Sequence, residues 1–193
     1  MDSKLFKKLF SMLIVLAMVL SMCPTIVFAE TVVDTTDPNY CPHCKKVLSD
    51  EEWIAWDGTT IATGHYYIAQ NELALTATPT VSKDMVINLR GNNIKAKANA
   101  RAFDISAEGT LTIMDSTATT TVENGIAVYN SGVVQGNGYF ESSYGGLIQV
   151  NGGTFKLYSG TLADGYAKNG GNIYARSSGK VYIYDGLVQN GKT

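Results

Sequence analysis

Charge is thin along this chain: Asp, Glu, Lys and Arg make up 17% of its 193 residues, against about 25% in an average soluble domain. The 15 basic side chains face 17 acidic ones, and no basic stripe forms, which argues against nucleic acid as a partner. Long apolar runs are missing too, except for one at the start. After it, no stretch approaches the roughly 20 residues of a membrane-crossing helix. Histidine is rarer still. His43 and His65 are its only two copies, so everything beyond residue 80 lacks the commonest acid–base side chain. What is abundant is Gly, Asn, Ser, Thr and Tyr.

The opening run reads as a targeting signal. Lys4, Lys7 and Lys8 precede an apolar stretch from Leu9 to Leu20, broken only by Ser11. Val27 and Ala29 then supply the small residues of a cut before Glu30. A run of twelve residues is too short to anchor in a bilayer. Leu20-Ser21-Met22-Cys23 lacks the small residue that precedes a lipidated cysteine. Removing residues 1–29 leaves 12 basic and 16 acidic side chains, a net charge of -4. Residues 30–40 read as a flexible leader, 41–80 as an N-terminal cap segment and 81–193 as repeats. The mature product is expected to be secreted or held at the cell surface, without a transmembrane segment.

The repeats carry the fold. Gly109-Thr110-Leu111-Thr112-Ile113, Gly132-Val133-Val134, Gly153-Thr154-Phe155-Lys156-Leu157 and Gly179-Lys180-Val181-Tyr182-Ile183 start 23, 21 and 26 residues apart. A second set, Phe103-Asp104-Ile105, Ile126-Ala127-Val128, Ile148-Gln149-Val150 and Ile173-Tyr174-Ala175, recurs at 23, 22 and 25. Ile87-Asn88-Leu89 fits an earlier coil, 24 residues before Leu111-Thr112-Ile113. Apolar residues alternate within each segment, the mark of a strand with one buried face. Crossover helices need a dozen or more residues, and these Gly- and Asn-rich turns leave no room for them. The fold class expected is therefore all-β, a right-handed parallel β-helix of about five coils. An antiparallel sandwich would give no reason for two strand positions to recur in step.

Gly170-Gly171-Asn172-Ile173-Tyr174-Ala175 and Gly152-Gly153-Thr154-Phe155-Lys156-Leu157-Tyr158-Ser159-Gly160-Thr161-Leu162 resemble repeats of pectate-lyase-like right-handed β-helix proteins. They are similar in particular to uncharacterised surface proteins of anaerobic Gram-positive gut bacteria. Cys41-Pro42-His43-Cys44, Trp53, Trp56 and Gly64-His65-Tyr66-Tyr67 look like the N-terminal segment of such proteins. The resemblance covers about 40–193. It implies a fold, not an activity, because that architecture serves lyases, hydrolases, adhesins and passive stalks alike.

The N-terminal segment offers two readings of its residues. Trp53, Trp56 and Tyr67 suit a cover over the first coil, since terminal units of a stack are atypical, or an aromatic binding site. Cys41 and Cys44 suit either a short-loop disulfide or two thiolates of a structural zinc site, with His43 and His65 as further donors. A redox dithiol belongs in a βαβ setting that is absent here.

An enzyme of this architecture acting on acidic polysaccharide needs carboxylates, or a calcium site with an Arg or Lys base, along one face. Arg101 and Arg176 fall about three coils apart, and no such base with supporting carboxylates stands out. Asp115 and Asp185 occupy equivalent positions three coils apart, roughly 14 Å at the usual strand spacing, with Gly138 and Ser159 between them. Asp104 is matched by Ala127, Gln149 and Tyr174. Neither set makes a glycosidase pair, which needs about 5–9.5 Å. Outward tyrosines are the better lead. Tyr158, Tyr182 and Tyr184, with Lys156 beside them, suit stacking on sugar rings or a protein interface. The expected function is an exported, non-catalytic β-helix module of a bacterial surface protein that adheres to glycans or a partner. A polysaccharide lyase or glycoside hydrolase, and a passive stalk, are the alternatives. The bare last strand at Lys180–Val188 leads us to expect more chain beyond residue 193.

Overall fold

The structure, a computed structural model, describes residues 33–193, with the backbone alone for residues 140–143. The expected targeting segment at 1–29, Cys23 included, lies outside the described residues. The described chain is all-β. Its one helical piece is a single 3-10 turn at Asp50–Glu52, and no described helix is long and apolar enough to cross a membrane.

Three parallel sheets carry most of the strands. The largest has six, in the order Lys180–Ile183, Thr154–Leu157, Thr110–Met114, Asp84–Asn88, Gly64–Tyr67 and Trp53–Ala55. A second holds Leu187–Gln189, Thr161–Ala163, Val133–Gln135, Asn93–Lys95 and Glu72–Ala74. The third holds Ile173–Arg176, Ile148–Asn151, Phe103–Ile105 and Thr80–Val81. The chain visits the three in turn, and each strand pairs in parallel with its counterpart on the next visit. Paired side chains form inward rows. Tyr66, Ile87, Ile113, Leu157 and Ile183 make one; Leu73, Ile94, Val134, Leu162 and Val188 make another. A third runs Phe103, Ile148, Ile173. All but the last members, Ile183 and Val188, which are exposed, belong to or pack against one apolar core. At the corner into the six-stranded sheet the chain runs so close that a Cβ on Gly109 would overlap the carbonyl of Val81, and one on Gly153 would overlap that of Ser106. Glycine is required there for space.

The register corrects the sequence reading in four places. First, the Gly132 segment joins the second sheet, where Val134 pairs with Ile94 and Leu162, rather than the sheet of Gly109, Gly153 and Gly179. Second, Ile126-Ala127-Val128 joins no parallel sheet. Thr119–Glu123 and Ile126–Asn130 make an antiparallel hairpin, turned by Asn124 and Gly125 with φ of 53° and 79°, the left-handed pair of a tight hairpin turn. Third, Ile87 pairs with Ile113 and Met85 with Leu111, two residues from the expected match. Strands alternate with period two, so this slip keeps the buried face. Fourth, parallel pairing begins at Trp53, well before residue 81. An excursion explains the first two errors. Ile113 and Leu157 are adjacent in the sheet yet 44 residues apart, a gap that imitates two ordinary repeats.

Candidate functional site

Alternation in the six-stranded sheet sends one set of side chains outward. Trp53, His65, Val86, Thr112, Lys156 and Tyr182 form one outer row. Tyr67, Asn88 and Met114 begin the next, and Tyr158 and Tyr184 follow on the later strands. The N-terminal segment folds across these rows. Cys41 and Leu48 pack with Trp53, Val86 and Met114 into a second apolar cluster, flanked by Cys44, Tyr67 and Tyr158. The Arg90 guanidinium lies 4.2 Å from the Tyr67 ring centroid and 5.9 Å from that of Trp53, and donates to Asn39 Oδ1 at 3.2 Å. Of the three aromatics expected as a cover, Trp56 enters the core and stacks on Phe103 at 5.6 Å. Trp53 and Tyr67 lie outside the sheet under the N-terminal segment, because alternation turns them away from Tyr66.

That segment gathers the sulfur and imidazole groups. Tyr40–Cys41 pairs antiparallel with Lys46–Val47, and Lys45, at φ 57°, turns the chain between them. The Cys44 amide donates to Cys41 Sγ at 3.3 Å, and both cysteines are free. Cys44 Sγ lies 2.9 Å from His65 Nε2. The ligand atoms of Cys41, Cys44 and His65 all fall within 4.8 Å of one another, close enough to hold a metal ion. Burial pushes the Cys41 thiol up to about 12. Burial also lowers His65, helped by the charge on Lys46.

His43 is not part of this group. Its Nε2 lies 3.2 Å from the Asp84 carboxylate, and Lys156 Nζ donates to its Nδ1 at 3.3 Å. Both nitrogens are therefore engaged. The same contact corrects the placing of Lys156. It is the register partner of Tyr182, but its ammonium reaches back to His43 rather than toward the tyrosines.

The tyrosines do assemble. Tyr158 and Tyr184 stack with centroids 4.4 Å apart and planes 17° apart. Tyr182 stands 6.3 Å from Tyr184 with its plane within 12°. Tyr184 is 57% exposed and Tyr182 42%. Burial, and then the neighbouring Tyr184, raise the Tyr158 phenol. A groove opens beside Tyr158, between Tyr40 and Pro42 of the N-terminal segment and Met114, Ser116 and Ser159 of the sheet side. Two further tyrosine pairs, Tyr139–Tyr166 at 4.4 Å and Tyr144–Tyr174 at 4.7 Å, lie on other strands.

The carboxylates are engaged in structure. Register places Asp115 and Asp185 two strands apart, with Ser159 between them and Gly138 elsewhere. Their expected separation falls to about 10 Å, so distance alone no longer excludes a pair. Hydrogen bonding does. The buried Asp115 carboxylate accepts from Gly91 N–H, from Thr117 N–H and hydroxyl, and from Gly132 N–H. Asp104 is aligned with Gln149 and, through it, Tyr174, not with Ala127, and binds Arg101 at 3.0 Å.

Comparison with models of protein families, with curated proteins and with solved structures gives no match. Asp84 and Arg90 are the residues that sequence reasoning missed. Asp84 lies two positions before Val86, the register partner of His65. Alternation alone would have put Asp84 on the outer face had that register been known.

Proposed function

We propose that this chain is an exported right-handed parallel β-helix module of a bacterial surface protein, and that it contacts glycans through its outward tyrosines. The three parallel sheets support the helical winding. Strands that pair in parallel after a crossover are joined right-handedly in nearly all known cases. One observation carries the functional reading: three near-parallel tyrosines, two of them well exposed, stand together, and the first of them, Tyr158, lines a groove. Flat apolar rings with polar edges suit the faces and hydroxyls of sugar rings. The buried Asp115 disfavours the lyase or hydrolase alternative, since its carboxylate is tied to the backbone amides of Gly91, Thr117 and Gly132.

The test is a glycan array on residues 30–193, followed by titration calorimetry on the strongest hit. Tyr158→Ala with Tyr184→Ala should lower affinity by about tenfold or more, roughly 1.4 kcal/mol, because both ring platforms are removed. Circular dichroism should show the sheets retained. Equal binding by the double variant rejects the tyrosine site, and no binding to any glycan leaves the passive stalk. Unsaturated products or new reducing ends from a pectin-like substrate assign the enzymatic alternative instead.

A further inference from the structure

The cysteine turn and His65 come from different parts of the chain. Cys41 and Cys44 sit on a two-strand hairpin near the N-terminus, while His65 projects from the six-stranded sheet. Packing brings them together with their donor atoms within 4.8 Å. A tetrahedral zinc site with Zn–S of about 2.3 Å and Zn–N of about 2.0 Å sets its ligand atoms roughly 3.5–3.8 Å apart. The three groups are therefore almost in place. Metal entry replaces the Cys44 Sγ···His65 Nε2 contact at 2.9 Å with two bonds to the ion. Two thiolates and an imidazole are soft-to-borderline donors that favour zinc over calcium or magnesium. The Cys44 amide directed at Cys41 Sγ supports a thiolate, as outer hydrogen bonds do at metal sites.

Among the described residues, no further His, Cys, Asp or Glu donor joins these three at the fourth place. His43, the nearest imidazole in sequence, has Asp84 on one nitrogen and Lys156 on the other. Beside the cysteine and His65 lies a small cleft lined by His43, Cys44, Thr63, Gly64, His65 and Asp84. Solvent or a small anion can enter there.

We propose that Cys41, Cys44 and His65 bind one zinc-type divalent ion, with the fourth position open to the cleft, and that this ion fastens the N-terminal segment onto the outer face of the sheet. The site joins residues 21 apart, Cys44 and His65, across an interface otherwise held by apolar contacts and a few hydrogen bonds. Structural zinc sites are usually closed by four protein ligands; this one fastens a segment and still exposes the ion. The proposal is independent of the glycan reading.

Cobalt(II) is the probe, added to the reduced, metal-free protein spanning residues 30–193. One equivalent should produce the strong visible bands of four-coordinate cobalt with a thiolate charge-transfer band, and zinc should displace both. Cys44→Ser and His65→Gln should each weaken binding beyond the roughly 10–100-fold loss caused by removing a supporting residue. His43→Gln should keep the stoichiometry and the bands. Azide should shift the visible bands of the wild-type complex. Limited proteolysis, which needs no variant, should cut the segment before Ser49 faster after chelation than after zinc loading. Absence of the cobalt bands overturns the proposal, as does a free-thiol count of zero in protein isolated without reductant, which assigns a disulfide. Bands indifferent to azide overturn the open position, and cleavage indifferent to metal overturns the fastening.

Discussion

Asp115 ties three turns to one carboxylate. Its oxygens take the amides of Gly91, Thr117 and Gly132, while its own backbone exchanges hydrogen bonds with the Ser159 hydroxyl. Asp115→Ala strands those buried or half-buried donors, and should cost about 2–4 kcal/mol in urea unfolding. Asp115→Asn keeps one acceptor and should cost less. A loss of under 0.5 kcal/mol in the alanine variant would show that water replaces the carboxylate. Asp57 does similar work in the open. It accepts from the Thr59 and Thr60 amides, and those bonds hold its carboxyl well below the ordinary carboxylate range. A depressed value stabilises the folded state above the unfolded pKa of about 3.9, and that contribution is lost as pH falls through the folded value. Trp56 Nε1 donates to Thr60 O in the same loop. Tryptophan emission should therefore hold through the ordinary carboxylate range and change only at pH well below it, and Asp57→Ala should show the altered emission already at neutral pH. None of this was legible in sequence, since Asp115 was weighed only as one member of an acidic pair. Nothing in the chain announces that residues 91, 117 and 132 meet.

At the scale of elements, the strands were readable because alternation is local. Thr154–Leu157 over Lys180–Ile183 was matched residue for residue, and the structure pairs Phe155 with Val181 and Leu157 with Ile183. Two short elements defeated the count, the hairpin at Thr119–Asn130 and the strand Tyr139–Tyr144. The hairpin's alternating residues imitate a buried strand, yet Val122 and Ile126 are 73% and 69% exposed. Such a two-stranded piece has little stability of its own. Replacing residues 119–130 with a short Gly-Ser linker should leave the circular dichroism of the sheets unchanged and move Tm by only a few degrees. Loss of the cooperative transition would show instead that the hairpin supports the stack. The candidate site was half legible. Outward tyrosines follow from period two, and Cys41 and Cys44 from their spacing. The pairing of His65 with the thiols depends on where the N-terminal segment folds, which no periodicity records.

Across the described residues, strands of each parallel sheet pair with those of the visits before and after, as neighbours do in a repeat array. Stability in such arrays is close to a sum of unit and neighbour terms. The two ends differ accordingly. Trp56 and Tyr66 are buried at the first strands, whereas Ile183 and Val188 are exposed at the last ones. Hydrogen exchange should be slowest around Leu111, Ile148 and Phe155, in the middle of the core, and fastest in Lys180–Gln189.

The corner at Asp115 also has a consequence for what this scaffold could carry. Thr117 and Gly132 leave and rejoin the stack on the two oxygens of a single side chain, so the chain between them begins and ends at almost one point. The entropy of closing such a loop grows only slowly with its length, by about 0.6 kcal/mol per doubling. The corner is thus a socket: sequences of very different size could be displayed from it at nearly constant energetic cost, while the rows of side chains above and below keep their register.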